Sequence, residues 1–173
     1  KVYGNESVYS DIFDVSAKEV SLYIQDKMEF DEMVINAGLR WDQFDPQTVY
    51  PSDRRNPANQ LLLPDSMMST YLPSTVKSQI SPRFGLAYQL SDVAVLHFSY
   101  GHFFQMPPMY ALYQNNSFRI APSDYSTLLG NSELNAEKTI TYEIGLWQEL
   151  TRDLGVEVAL FYKDIYDLLS GQV

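Results

Sequence analysis

Few residues of this chain are of types that do chemistry, and their spacing separates them. There are two histidines, His97 and His102, and no cysteine. The histidines stand five apart in an alternating stretch, so they project to opposite faces of a strand and no shared metal site is expected. No serine–histidine–carboxylate set can be read from spacing. No catalytic residue and no cofactor is implied. Arg40, Arg83 and Glu143 each fall on the polar side of an alternating stretch, as does His97. There they either meet a solute or form a mutually paired, solvated network. Tyr110, Tyr113 and Tyr125 gather in one long irregular stretch. Their rings could stack on a ligand such as a sugar, or pack within a folded loop.

The elements that must position these residues read as strands. In Ser81–Phe104, large apolar residues fall on every second position: Phe84, Leu86, Tyr88 and Leu90. After Ser91-Asp92-Val93 the alternation resumes with Leu96, Phe98 and Tyr100, against His97, Ser99 and Gly101. Period-two alternation on both sides of a short polar turn is a β-hairpin signal. One face is apolar and the other small or polar, as in a transmembrane barrel hairpin. The same pattern appears at about 18–42, around Asp31-Glu32, and at about 138–166, around Thr151-Arg152-Asp153.

Between the hairpins lie long irregular connections, 43–79 and 105–137. The first contains Pro46, Pro51, Pro57, Pro64 and Pro73. The chain thus alternates short turn and long loop. Outer-membrane barrels pair short turns on one side with long loops on the other. A strand of about 11 residues, rising ~3.3 Å each and tilted by about 40°, spans roughly 28 Å, close to the apolar band of such barrels. The expected fold is all-β, an antiparallel up-and-down meander of about six long strands, one segment of a large outer-membrane barrel.

Parity fixes an expected register, because paired residues must share a face. In the first hairpin Phe30 should face Met33, and Tyr23 should face Arg40. In the other two, three-residue loops would set Ala87 opposite His97, Ile144 opposite Leu160, and Glu143 opposite Phe161. Asp153 should then be left-handed, whereas β-branched Val93 suits that poorly, so the middle turn could widen to five residues.

Composition excludes other classes. A net charge of -10, from 12 basic and 22 acidic residues, argues against a nucleic-acid partner. Without cysteine there is no disulfide scaffold or thiolate metal site. Lys1-Val2-Tyr3-Gly4 does not start like a signal peptide. No run of about eighteen apolar residues marks a transmembrane helix, which leaves barrel strands open. The 13 tyrosines suit an aromatic girdle or a sugar-binding β domain. A soluble β-sandwich, such as a carbohydrate-binding module, would also alternate, but with shorter connections.

Several motifs carry a family resemblance. Ser81-Pro82-Arg83-Phe84-Gly85 with Tyr88, then Ser99-Tyr100-Gly101 with Phe104 and Pro107, resembles a hairpin of TonB-dependent outer-membrane receptors. Leu22–Lys27, Asn36–Asp42 and Phe161–Asp167 resemble other strands of that barrel. Gly130–Lys138 with Tyr142-Glu143-Ile144-Gly145 is similar to its most specific motif, usually Asn-Pro-x-Leu-x-Pro-Glu then aromatic-Glu-x-Gly. Ser132 and Ala136 stand where that motif has prolines, which should loosen the approach to the strand.

The resemblance covers about residues 18–170 and implies an internal piece of a barrel of roughly 22 strands. It implies a bacterial outer-membrane location and energised uptake of a scarce large solute, of siderophore, vitamin or oligosaccharide class. Arg40, Arg83, His97 and Glu143 would face the lumen, and Tyr110, Tyr113 and Tyr125 would be loop candidates for ligand contact. Implied partners are outer-membrane lipid, the plug domain and remaining strands of the same receptor, and indirectly the TonB system.

Overall fold

Alternation becomes strand in all six places. The computed structural model describes residues 14–54, 56, 57, 59, 64, 66, 68–118 and 128–170. Along the chain run β1 (Lys18–Glu29), β2 (Met33–Asp45), β3 (Val49–Pro51), β4 (Tyr71–Pro73), β5 (Lys77–Ser91), β6 (Ala94–Gln105), a short helix α1 (Met109–Tyr113), β7 (Glu137–Thr151) and β8 (Leu154–Tyr166). Six of the strands form one antiparallel sheet in the order β1-β2-β5-β6-β7-β8. Each long strand therefore neighbours the next long strand in sequence. The strands of this sheet run 12 to 15 residues. They exceed the length that apolar alternation alone suggests, because polar ends such as Lys77 and Glu137 continue the ladder.

The register follows parity. Phe30 and Met33 exchange backbone hydrogen bonds at 2.8 and 3.4 Å, closing a two-residue turn at Asp31-Glu32. Ala87 pairs with His97, Ile144 with Leu160, and Glu143 with Phe161. The turns themselves differ from expectation. Ser91 pairs with Ala94 and Thr151 with Leu154, so the loops are the two-residue Asp92-Val93 and Arg152-Asp153. The ladder shifts between Gln89 and Ser91 and again between Glu149 and Thr151, leaving Leu90 and Leu150 at bulges. A bulge absorbs one residue, so the strand keeps its facing while the loop shortens. Neither Val93 nor Asp153 then takes positive φ, and no five-residue loop forms.

Cross-strand rows define two faces. Leu86, Phe98, Ile144 and Leu160 form one apolar row, and Tyr88, Leu96, Leu146 and Val158 the next. Phe84, Tyr100, Tyr142 and Tyr162 form an aromatic row on the same face, with Tyr100–Tyr142 ring centres 5.0 Å apart. The opposite face carries Arg83, Gly85, His97, Ser99, Glu143 and Glu157. His102 lies with Tyr100 on the apolar side, its ring edge against Tyr100, so the histidines do diverge. The apolar face is open: Ile24 is 73%, Leu22 62% and Leu160 69% exposed. A β-sandwich would bury that face against a second sheet.

The chain divides into two compact units. One consists of the sheet segments Val20–Gln43, Ser78–Met106 and Ala136–Val173; the other of Lys1–Glu19, Phe44–Lys77 and Pro107–Asn135. The second unit, drawn from the two connections and the N-terminal segment, holds the larger buried apolar side chains: Phe44, Leu112, Tyr113 and Phe118. The connections are not structureless. β3 and β4 form a two-stranded ribbon, with Tyr50 opposite Leu72. The Asn59 side chain brackets Ser69, accepting from its amide at 2.6 Å and donating to its carbonyl at 2.9 Å. Such a side-chain mimic of backbone pairing leaves no periodic trace in sequence.

The two faces make a direct prediction. A cation on the lipid side near mid-membrane costs about 2–4 kcal/mol. Leu96→Arg should therefore lower the folded fraction of the assembled barrel, while Ser99→Arg, on the polar face, should leave it intact. The check is the heat-modifiable folded band on unboiled gels; equal yields of both variants would contradict the facing.

Candidate functional site

The polar face of the sheet carries a concavity of about 500 Å³. Its floor is low because Gly38, Gly85, Gly101 and Ser99 bring little or no side chain to that face. Arg40 and Arg83 both line it, together with Tyr23 and Phe103. Arg40 is held in place: its Nε donates to Asp42 Oδ1 and Oδ2 at 2.9 and 3.0 Å, and its Nη2 to Ser21 Oγ at 2.9 Å. Ser21 in turn donates to Asp42 Oδ1 at 2.7 Å. Arg83 lies over the Phe103 ring, 5.0 Å from its centre. Among the described residues no carboxylate stands within ion-pair reach of Arg83.

His97 and Glu143 come together elsewhere on the same face, with a third partner. His97 Nε2 lies 3.8 Å from Glu143 Oε1 and 3.6 Å from Glu157 Oε1. The imidazole reaches β8 by lying across Gly145, where an added Cβ would sit 2.2 Å from Nε2. The glycine of the aromatic-Glu-x-Gly motif is thus the seat of a side chain from the neighbouring strand. The four charged or titratable positions singled out from sequence therefore split into an arginine pair and a His–Glu group. Among the described residues no His, Cys, Asp and Glu cluster has the makings of a metal site. Ser21, Asp42 and Glu157 were not singled out from sequence as site residues; alternation and register place them, but only contact shows their partners.

The tyrosine candidates fare differently. Tyr110 on α1 is 59% exposed. Tyr113 is fully buried, and its hydroxyl donates to the Pro46 carbonyl at 3.0 Å. Burial, with Asp45 nearby, raises its phenol above the ordinary value. Tyr113 is accordingly a packing residue, and the expectation of a ligand-facing ring does not hold for it. Tyr125 lies outside the described residues. Phe118 stacks on Tyr71 at 5.2 Å, an aromatic pair the spacing did not suggest.

The segment before β7 is pinned, not loose. Ser132 Oγ contacts Ser74 Oγ, and Glu133 accepts from the Thr75 amide at 2.7 Å and the Thr75 hydroxyl at 2.8 Å. Lys77 Nζ stands 3.4 Å from the same carboxylate. Side-chain hydrogen bonds thus do what prolines do by ring constraint, and the expected loosening is not seen. Gly130 approaches α1 so closely that a Cβ would lie 2.6 Å from the Gln114 nitrogen and 2.7 Å from the Tyr113 nitrogen.

These geometries meet a family. The family model described as TonB dependent receptor-like, beta-barrel, matches residues 2–173. The chain belongs to the TonB-dependent receptor β-barrel family. Members are bacterial outer-membrane receptors and transporters, not enzymes. Among solved structures, the Serratia marcescens hemophore receptor HasR, a double mutant in complex with its hemophore HasA and heme, matches at 21% identity. That match covers 86% of this chain and 25% of that one, with a TM-score of 0.57. The copper transporter OprC matches at 12% identity over 86% of this chain and 21% of that one, with a TM-score of 0.56. At such identities the likeness is one of fold. The chain spans about a fifth to a quarter of the length of these TonB-dependent receptors. No curated protein is matched by the sequence.

Two outcomes are expected in the connecting unit. Burial opposes ionisation of Glu133, but the Thr75 hydrogen bonds and the Lys77 charge prevail and hold its carboxyl below the ordinary 4.5. The stabilisation is therefore present above that value and is lost as pH falls through the depressed one. Protection of the Thr75 amide, the intrinsic exchange rate relative to its own rate at the same pH, should fall over that acid range, and in Glu133→Gln this fall should vanish. Separately, Gly130→Ala should force Leu112–Gln114 to move, at about 1–3 kcal/mol for overpacking. Limited proteolysis of the intact receptor should show faster cleavage in these connections with the barrel still folded.

Proposed function

We propose that this chain is a single continuous segment of the barrel wall of an outer-membrane receptor that takes up a scarce large solute with energy from the TonB system. The observation that carries the reading is the two-faced sheet within a family match running from residue 2 to 173. Its exposed apolar rows would meet lipid. Its polar face, with Arg40, Arg83, His97 and Glu143, would line the lumen and face the plug domain of the same receptor. The closely turned ends would lie on the periplasmic side and the long connections outside. The solute would be of siderophore, vitamin or oligosaccharide class; HasR and OprC, by their names, handle heme with a hemophore and copper.

Within the connections, Tyr110 is the candidate for solute contact because it is exposed on a helix anchored by a buried neighbour. Tyr125 belongs with it by sequence position alone. The test is uptake by cells carrying the intact receptor. Tyr110→Ala should reduce uptake while leaving the amount of folded receptor unchanged. Tyr113→Ala should instead destabilise the connecting unit, by about 3–5 kcal/mol for a large buried ring, and show as protease sensitivity. Unimpaired uptake by Tyr110→Ala would remove Tyr110 from the mechanism.

A further inference from the structure

The concavity beside Arg83 has a charge that the rest of the chain does not share. The protein has 22 acidic and 12 basic residues, yet two arginines and no carboxylate line this space. Arg40 is partly compensated by Asp42, which stands behind it and outside the lining. Arg83 has no such partner among the described residues. Its guanidinium carbon instead lies over the Phe103 ring, 5.0 Å from its centre, a cation–π contact with no hydrogen-bond acceptor in it. An arginine so placed presents a fork that matches a carboxylate in bidentate fashion. The space itself, about 500 Å³, falls in the size range of small-ligand sites. It exists because Gly85, Gly101 and Ser99 keep side chains out of it.

We propose that this concavity is a subsite for a carboxylate group of the transported solute, held by Arg83 with Arg40 adding field. Phe103 stands against the guanidinium, and the glycine floor admits the solute to backbone distance. Arg83 is itself exposed, so the pair is made within reach of water and is screened as salt is added. A carboxylate could reach Arg83 from two sources, a free solute or an acidic side chain elsewhere in the receptor's own polypeptide. Exposure of both Arg83 and the floor residue Ser99 favours the solute, which can reach them from the open side. The inference rests on the proposed reading of the polar face as the lumen wall.

The test uses the intact receptor in detergent micelles, with citrate as probe and its neutral triethyl ester as control. Calorimetric titration should show saturable citrate binding that weakens as salt is added, and none for the ester. Arg83→Gln should weaken citrate binding by about tenfold or more, the usual effect of losing a hydrogen-bonded charge. Phe103→Leu, which keeps the charge but removes its platform, should weaken it less, and serves if the arginine variant assembles poorly. Equal citrate binding by wild type and Arg83→Gln would overturn the site. So would absence of citrate heat; if Arg83→Gln then also lowers the unfolding temperature of the ligand-free receptor, the carboxylate belongs to the receptor's own chain. Labelling of Ser99→Cys by a water-soluble maleimide separates the two readings. Labelling by a lipid-soluble maleimide alone sinks the lumen assignment, whereas labelling by the water-soluble one without citrate binding, or by neither reagent, sinks only the solute site.

Discussion

Everything in the sheet depends on lateral backbone pairing. Among the described residues the apolar rows of its long strands stay exposed, with Leu22, Ile24 and Leu160 open. Cohesion between strands therefore comes from the ladder and from cross-strand pairs, each of the latter about 0.2–1 kcal/mol. In hydrocarbon an unpaired backbone group costs several kcal/mol, so pairing is obligatory there. That makes register the quantity with the largest consequences. A slip of one residue between β6 and β7 would exchange the row of Phe98 and Ile144 with the row of Ser99 and Glu143. In the β5–β6 and β7–β8 ladders the irregularities fall at Leu90 and Leu150, next to the tight turns, where a bulge disturbs the fewest pairs.

The polar face is organised by where side chains are missing. Gly145 lets His97 cross its strand toward Glu157, and Gly85 and Gly101 open the space beside Arg83. The sheet thereby places its arginines on β2 and β5 and its carboxylates Glu143 and Glu157 on β7 and β8. Charges of both signs share this face, since Arg83 on β5 and Lys163 on β8 lie in one cross-strand row and Glu143 and Glu157 stand in rows nearer the turns.

The connecting unit follows different physics. It has a conventional small core around Tyr113, Phe44 and Leu112, and it satisfies its turns with side chains. Asn59 pairs with Ser69 as a strand would, Ser52 and Thr70 trade bonds, and Glu133 gathers Thr75 and Lys77. A unit built from specific polar contacts can present an exposed residue such as Tyr110 reproducibly. It does so without the period-two constraint that governs the sheet.

Period-two alternation by itself determined six strands, their antiparallel sequence and their two faces, because every second residue must share a side. Parity then determined the pairing of Ala87 with His97 and of Ile144 with Leu160. It could not decide the turns, since a bulge plus a two-residue loop and a three-residue loop give the same parity. Nor could it show that Tyr113 is buried while Tyr110 is open, because a helix of five residues is too short to leave a periodic signature. The partners of Arg40 and His97 were likewise outside its reach. Ser21, Asp42 and Glu157 share a face with them by alternation, but which groups touch depends on rotamers and on the glycine seats between them. Those are settled only when the strands lie side by side.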